Sequence, residues 1–329
     1  MWDFSFGKSF AAVLRTAPFL LLRIAVYLGI AVIYLFAASI GAAIGFGFGH
    51  MGADADSPVS GAFIGGAIGF GLTAAVLYFL RQYLLYLVKA AHIAVLVEIL
   101  YGRSIPAGQG QIGYGAQFVK NHFAQASVLF GVDQVVKAIL RALFRIVNFF
   151  SIFLPIPFFG GLLRIAEGVV KNSLTYVDEV ILAYLIRTRT ANPWATAKDG
   201  VILYAQNYRT MLKNAVWLSI FMWGTTILIF AVLLTPAAGL MMWMPATNAV
   251  GIWAFMFAVI LAMALKKALL EPVAIASLMQ VYFRTIEGQT PDPEWSARLD
   301  GASRRFRELG QKASDWVPRP PMPEPGAAP

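Results

Sequence analysis

Residues 40–71 read IGAAIGFGFG (40–49), HMGADADSPVS (50–60) and GAFIGGAIGFG (61–71). Gly41, Gly45 and Gly49 recur every four residues, and so do Gly61, Gly65 and Gly69. At helical spacing each triplet makes a flat ridge along one face. Such ridges let two membrane helices approach closely, where van der Waals packing replaces the hydrophobic drive that lipid cannot supply. The acidic loop between them has room only for a return. The stretch therefore predicts a tight antiparallel transmembrane hairpin, a glycine zipper with these six glycines as its helix-packing residues.

Composition extends that reading to the whole chain. The 329 residues are 59% hydrophobic and 13% charged, against about 25% charged in soluble domains. Cysteine is absent, which excludes disulfides, cysteine-ligated clusters and thiol chemistry. The formal charge is +9, and its placement is informative. Ile24–Gly49 is 26 uncharged residues, longer than a signal-peptide core of roughly 7–15. The 50–59 loop carries Asp54 and Asp56 and no Lys or Arg, while Arg81 and Lys89 follow the next apolar run. Asn214–Leu265 has no charge over 52 positions, too long for one span. TPAAGLMMWMPATN (235–248) supplies its turn, with Trp243 suited to an aromatic belt, and Lys266 and Lys267 follow. The positive-inside rule then puts both short loops outside and both termini in the cytoplasm.

These signals predict an all-α polytopic membrane protein, in a bacterial inner membrane, with four spans at 24–49, 58–80, 214–234 and 249–265. Residues 1–23 are a cytoplasmic or interfacial N-terminus. A first hairpin with a cytoplasmic extension covers 24–102, a loop 103–123, a central amphipathic block 124–190, and a second hairpin with its extension 191–283. The tail, 284–329, is read as cytoplasmic and largely disordered, with 296–316 able to form a short surface helix. The central block is a broken hairpin: Pro155, Pro157, Gly160 and Gly161 interrupt an uncharged run. It adds two crossings or none, for six spans or four. Residues 8–102 and 194–288 follow the same order of segments, as a parallel internal repeat or as two unrelated hairpins.

Few motifs point to chemistry. Gly108, Gly110 and Gly113 match GxGxxG, but an apolar helix precedes them and there is no βαβ pattern. His50, His92 and His122 have no ligand spacing. We therefore expect no enzyme, cofactor, metal site or nucleic-acid partner. The carboxylates Glu98, Asp133, Asp178, Glu179 and Glu271 lie in or beside apolar segments, where ionisable groups are costly and usually functional. Asp133–Lys137, Glu167–Lys171 and Lys267–Glu271 are spaced to pair along a helix, and Arg103 follows Glu98. Asp178 and Glu179 have no cation at helical spacing and stand between Tyr176 and Tyr184. Carboxylates with nearby aromatics suit an organic cation, so these four are candidate substrate-binding residues. Asp133, Lys137, Arg141 and Arg145 form a polar stripe that would line a path or meet anionic lipid headgroups.

Three stretches together resemble the choline transporter-like family: Thr196-Ala197-Lys198-Asp199-Gly200 with the following VILYAQNYRTMLKNAVWLSI, LMQVYFRTIEGQTPDPEW (278–295), and KNHFAQASVLFGVDQVVKAILRALFRI (120–146). The resemblance covers about the C-terminal two-thirds of the chain, and Lys198–Asp199 replaces the family's Arg-Asn pair. It implies a transporter-type fold and choline or a similar cation as cargo. The sequence thus supports translocation of a small solute, or alternatively a non-catalytic scaffold, assembly or lipid-organising subunit. Expected partners are the bilayer, including anionic lipids, and a second copy or another membrane protein.

Overall fold

A computed structural model describes residues 2–52, 56–106, 110–122, 130–139, 176–189, 191–243 and 248–317. Arg141, Arg145 and the Pro/Gly-containing tip of the central block lie outside them. The regular elements among the described residues are all helical. They are α1 (Phe6–Leu14), α2 (Ala17–Gly49), α3 (Ser57–Leu100), α4 (Gln111–His122), α5 (130–139), α6 (Val177–Thr188), α7 (Pro193–Gln206), α8 (Tyr208–Trp243) and α9 (Asn248–Leu265). A π-helical turn (Lys266–Leu270) then leads into α10 (Glu271–Thr285), α11 (Pro293–Ala302) and α12 (Arg304–Ser314).

The chain divides into two compact units. One comprises Leu20–Tyr86 with Thr225–Leu270, and the other Met1–Phe19, Leu87–Gly224 and Glu271–Pro329. Both are discontinuous in sequence, unlike the consecutive segments expected from composition.

The first unit is inside-out by the standard of soluble proteins. Phe36 and Phe48 on α2, Phe63 and Val76 on α3, and Leu228 and Val232 on α8 are all exposed. Contiguous apolar surface on this scale requires a cover, and these helices are long and apolar enough for that cover to be lipid. Four segments meet the length and hydropathy of a span: Ala17–Gly49, Ser57–Tyr78, Gln82–Leu100 and Tyr208–Thr235. The protein is an all-α polytopic integral membrane protein. Ser57–Tyr78 and Gln82–Leu100 belong to one continuous helix of 44 residues, about 66 Å long against a hydrocarbon core of about 30 Å. They make one crossing, and 56% of the second window is buried in protein.

Within this unit α2 and α3 touch backbone to backbone. A Cβ built on Gly41 would lie 2.1 Å from Gly65 O, one on Gly45 2.0 Å from Gly61 O, and one on Gly49 2.4 Å from Ser57 O. Gly69 packs against Ala37 in the same way, at 2.4 Å. No side chain larger than hydrogen fits at that separation.

The second unit is built as a water-soluble domain would be, around Ile93, Leu96, Ile181, Leu185, Leu203 and Tyr282, all buried. Helix α7 packs on α6 and α12, and α10 packs on α1 and α6. Asn192 caps α7 by accepting from Trp194 N and Ala195 N, and Pro193 opens the helix where its missing N–H costs nothing. Asn192 Nδ2 also donates to Ala313 O over 2.7 Å, which ties α12 to the start of α7. The tail expected to be largely disordered is thus helical over Pro293–Ala302 and Arg304–Ser314. Its charge masked an amphipathic pattern, in which Phe306 and Leu309 are fully buried.

The segments compared as a repeat end alike. Gly102 (φ 66°) follows α3 and Gly288 (φ 71°) follows α10, both in the left-handed region that glycine adopts without strain.

A buried ion cluster as the candidate functional site

Six ionisable side chains converge in the second unit. Lys137 Nζ on α5 lies 2.7 Å from Asp133 Oδ2, one helical turn back, and 3.0 Å from Asp178 Oδ2 on α6. Lys89 Nζ, near the middle of the second apolar window of α3, pairs with Glu179 Oε1 and lies 3.2 Å from Glu271 Oε1 on α10. Asp178 and Glu179 are sequence neighbours, so the groups form a chain: Asp133, Lys137, Asp178, Glu179, Lys89, Glu271. The four carboxyl side chains are nearly inaccessible to solvent.

Local structure explains how so much charge is held. Asp178 and Glu179 occupy the first turn of α6, and Glu271 the first turn of α10. At the start of α6 the helix dipole favours negative charge, whereas Glu271 follows the π turn inside a continuous helical run. Among the described residues, four carboxylates against two ammonium groups leave a formal excess of two negative charges. Burial raises the pKa of Asp133 and of Asp178, against the pull of Lys137 on each. Glu179 is pushed up to about 8, first by burial and then by the Asp178 charge. For Lys137, burial works against the ammonium, but Asp178 and Asp133 outweigh it and hold its pKa above the ordinary lysine value. Glu179 Oε2 has no hydrogen-bond partner among the described residues. The two lysines therefore do not satisfy the pair completely.

The structure brings Asp133, Lys137, Asp178 and Glu179 together. Tyr176 is buried at the N-cap of α6, next to the pair in sequence. Tyr184 is turned elsewhere: its ring meets Tyr282 edge-on at 5.9 Å and packs over Gly200. It lies six positions from Asp178, which places it on another helix face. The expected aromatic box therefore does not form around the two acids with Tyr184 as a wall. Lys137 is likewise directed into the cluster rather than to a headgroup.

Two participants were not anticipated from spacing. Glu271 was matched to Lys267 at four residues. The π turn across Lys266–Leu270 disrupts that register, and Glu271 meets Lys89, 182 positions away. A fifth buried carboxylate, Glu98, stands outside the cluster and is held by Arg103 Nε at 2.9 Å, as its position beyond α3 suggested, and also by Arg189 Nη2 at 2.7 Å. His92 is an interior residue, stacked on Phe19 and 2.7 Å from Thr16 Oγ1. Among the described residues no three His, Asp or Glu side chains are arranged to hold a metal ion. Gly110 and Gly113 lie at the start of α4, preceded by helix rather than strand. Residues 196–200 lie in α7, where Gly200 O accepts from Tyr282 Oη over 2.9 Å and Lys198 sits over the Phe306 ring.

Comparison of the chain with protein-family models, curated proteins and solved structures gives no match.

Proposed function

We propose that this protein moves a small solute across the membrane and that the Asp178–Glu179 pair, with Lys89, Lys137, Asp133 and Glu271, is its proton- or cation-coupling element. The observation that carries this reading is the excess of carboxylates over ammonium groups at a buried site. A scaffold needs its charges only at a surface. An interior cluster with a formal excess of two negative charges among the described residues is what a coupling site uses, because protonation or cation entry changes its net charge. Glu179, raised to about 8, changes protonation near neutral pH. An organic cation such as choline is the cargo class that the resemblance of residues 120–146, 196–220 and 278–295 implies. The absence of Lys and Arg from both short loops supports cytoplasmic termini, in keeping with a bacterial inner membrane.

The test is uptake of labelled choline, and of a panel of small amines, into proteoliposomes across an imposed pH gradient. Saturable uptake that follows the gradient and is abolished in Glu179→Gln, with the helical circular dichroism intact, supports the proposal. No saturable, gradient-dependent uptake of any member removes it. The scaffold reading then takes its place. It is favoured by the fact that Asp133, Asp178, Glu179 and Glu271 each have a lysine of the same chain within reach, as a structural tie would.

A further inference from the structure

A cavity of about 930 Å³ opens elsewhere in the second unit, away from the ion cluster. One wall is a single face of α1 and its C-cap: Lys8, Ala11, Ala12 and Arg15, at positions i, i+3, i+4 and i+7. The alanines leave the space, and the cations stand at either end of it. Across the cavity are the end of α3, the last turn of α6 and the last turns of α10. Arg187 lies there against an edge-to-face ring pair, Tyr101 and Phe283, its Cζ 4.4 Å from the Tyr101 centroid and 4.7 Å from that of Phe283. Contact with both rings restrains the guanidinium, whose N–H groups remain donors for an acceptor in the cavity.

The charges are unbalanced. Lys8, Arg15 and Arg187 make no ion pair with any described residue. Of the two acids on the rim, Asp3 is bound to Lys213 at 2.6 Å and to Asn214, and Glu287 faces Lys8, Arg15 and Arg187 together with Arg284, which donates to Asp3 O over 2.6 Å. The helix C-termini nearby do not demand those cations. Gly102 N and Arg103 N already close the end of α3 onto Ile99 O and Glu98 O, and Gln289 N bonds Ile286 O beyond α10. The apolar part of the wall, Ile99, Leu100 and Tyr101 with Phe283, suits a ligand that is not polar throughout.

We propose that this cavity binds a phosphate-bearing anion through Lys8, Arg15 and Arg187, and that its source is the headgroup of an acidic phospholipid. Three cations lining one cavity, none of them in an ion pair with a described residue, suit a phosphate-bearing ligand. Membrane origin is favoured by α1 itself. Phe10 and Leu14 are exposed on it, the pattern of a helix lying in a bilayer interface, and α2 begins two residues after Arg15. The inference goes beyond the transport reading and does not rest on it.

The full-length protein in nanodiscs would be exchanged against phosphatidylglycerol or phosphatidylcholine, and bound lipid counted by native mass spectrometry. A parallel titration would use glycerol phosphate in detergent. Wild type should retain phosphatidylglycerol over phosphatidylcholine. Lys8→Gln with Arg15→Gln, both exposed and therefore tolerated, should weaken that preference by roughly fivefold per residue. Lys120→Gln, a cation on α4 outside the cavity, should not. Arg187→Gln should weaken it as well. If glycerol phosphate binds in wild type but not in the double variant, with no lipid preference, the phosphate site stands and its source is soluble. An undiminished preference for phosphatidylglycerol in the double variant, or no binding of either ligand, overturns the proposal.

Discussion

Lys89 Nζ lies 3.2 Å from Glu271 Oε1, joining residues 182 positions apart, and also pairs with Glu179. One ammonium thus ties α3, α6 and α10 together. Removing it leaves two buried carboxylates facing each other, at a cost of about 3–5 kcal/mol. Lys89→Met should therefore lower stability markedly, measured by denaturant unfolding in detergent. Adding Glu179→Gln should recover part of the loss, because it removes one of the two acids that Lys89 meets. A Lys89→Met protein as stable as wild type would show that the cluster is not held as described.

Stability should depend on pH through Glu179. Its pKa rises from 4.5 to about 8 on folding, so the folded state holds a proton that the unfolded state releases between those values. The contribution is fully present below about 4.5 and is lost as pH rises through about 8. Midpoints of thermal unfolding measured from pH 5 to pH 9 should fall with pH from this source. Glu179→Gln, which cannot ionise, should flatten the fall; an unchanged slope would assign the dependence to other groups.

What could be read from the sequence follows from how local each feature is. The four-residue glycine spacing and the long uncharged runs act within a hairpin, so they are visible in a single stretch of chain. Asp133 and Lys137, one turn apart, belong to the same class. The rest of the cluster is not local: Lys89 stands alone in an apolar segment, and its partners come from distant helices. Glu271 misled for a specific reason, since a π turn breaks the spacing that had matched it to Lys267. Tyr184 was counted as an aromatic wall from proximity in sequence, and helical geometry carries it to another face. The tail was judged by its charge, while two apolar residues three apart, Phe306 and Leu309, dock it.

The α2–α3 contact predicts sharp differences between neighbouring glycines. Gly45→Ala would place a methyl 2.0 Å from Gly61 O, whereas a Cβ on Gly47 meets nothing within 4 Å. Overpacking typically costs about 1–3 kcal/mol. Gly45→Ala should therefore lower the unfolding midpoint in a denaturing detergent titration, and Gly47→Ala should leave it unchanged or slightly raised. Equal effects at the two sites would contradict the backbone contact.

Arg23 is almost completely buried on α2, and its Nη2 donates to Lys267 O over 2.8 Å. The acceptor lies in the π turn that precedes Pro272. Proline at that position has no N–H, and in a regular helix its ring would strike the carbonyl of Ala268, four residues back. The π turn relieves that clash and alters the hydrogen bonding of the carbonyls around it, one of which Arg23 meets. A hydrogen bond from a charged donor is worth about 1.5–3 kcal/mol, so Arg23→Gln should lose roughly that amount. The loss should shrink in a Pro272→Ala background, where the helix is free to continue regularly and Lys267 O finds its own N–H partner. A double-mutant cycle on unfolding free energies measures the coupling. Additive effects would separate the arginine from the π turn.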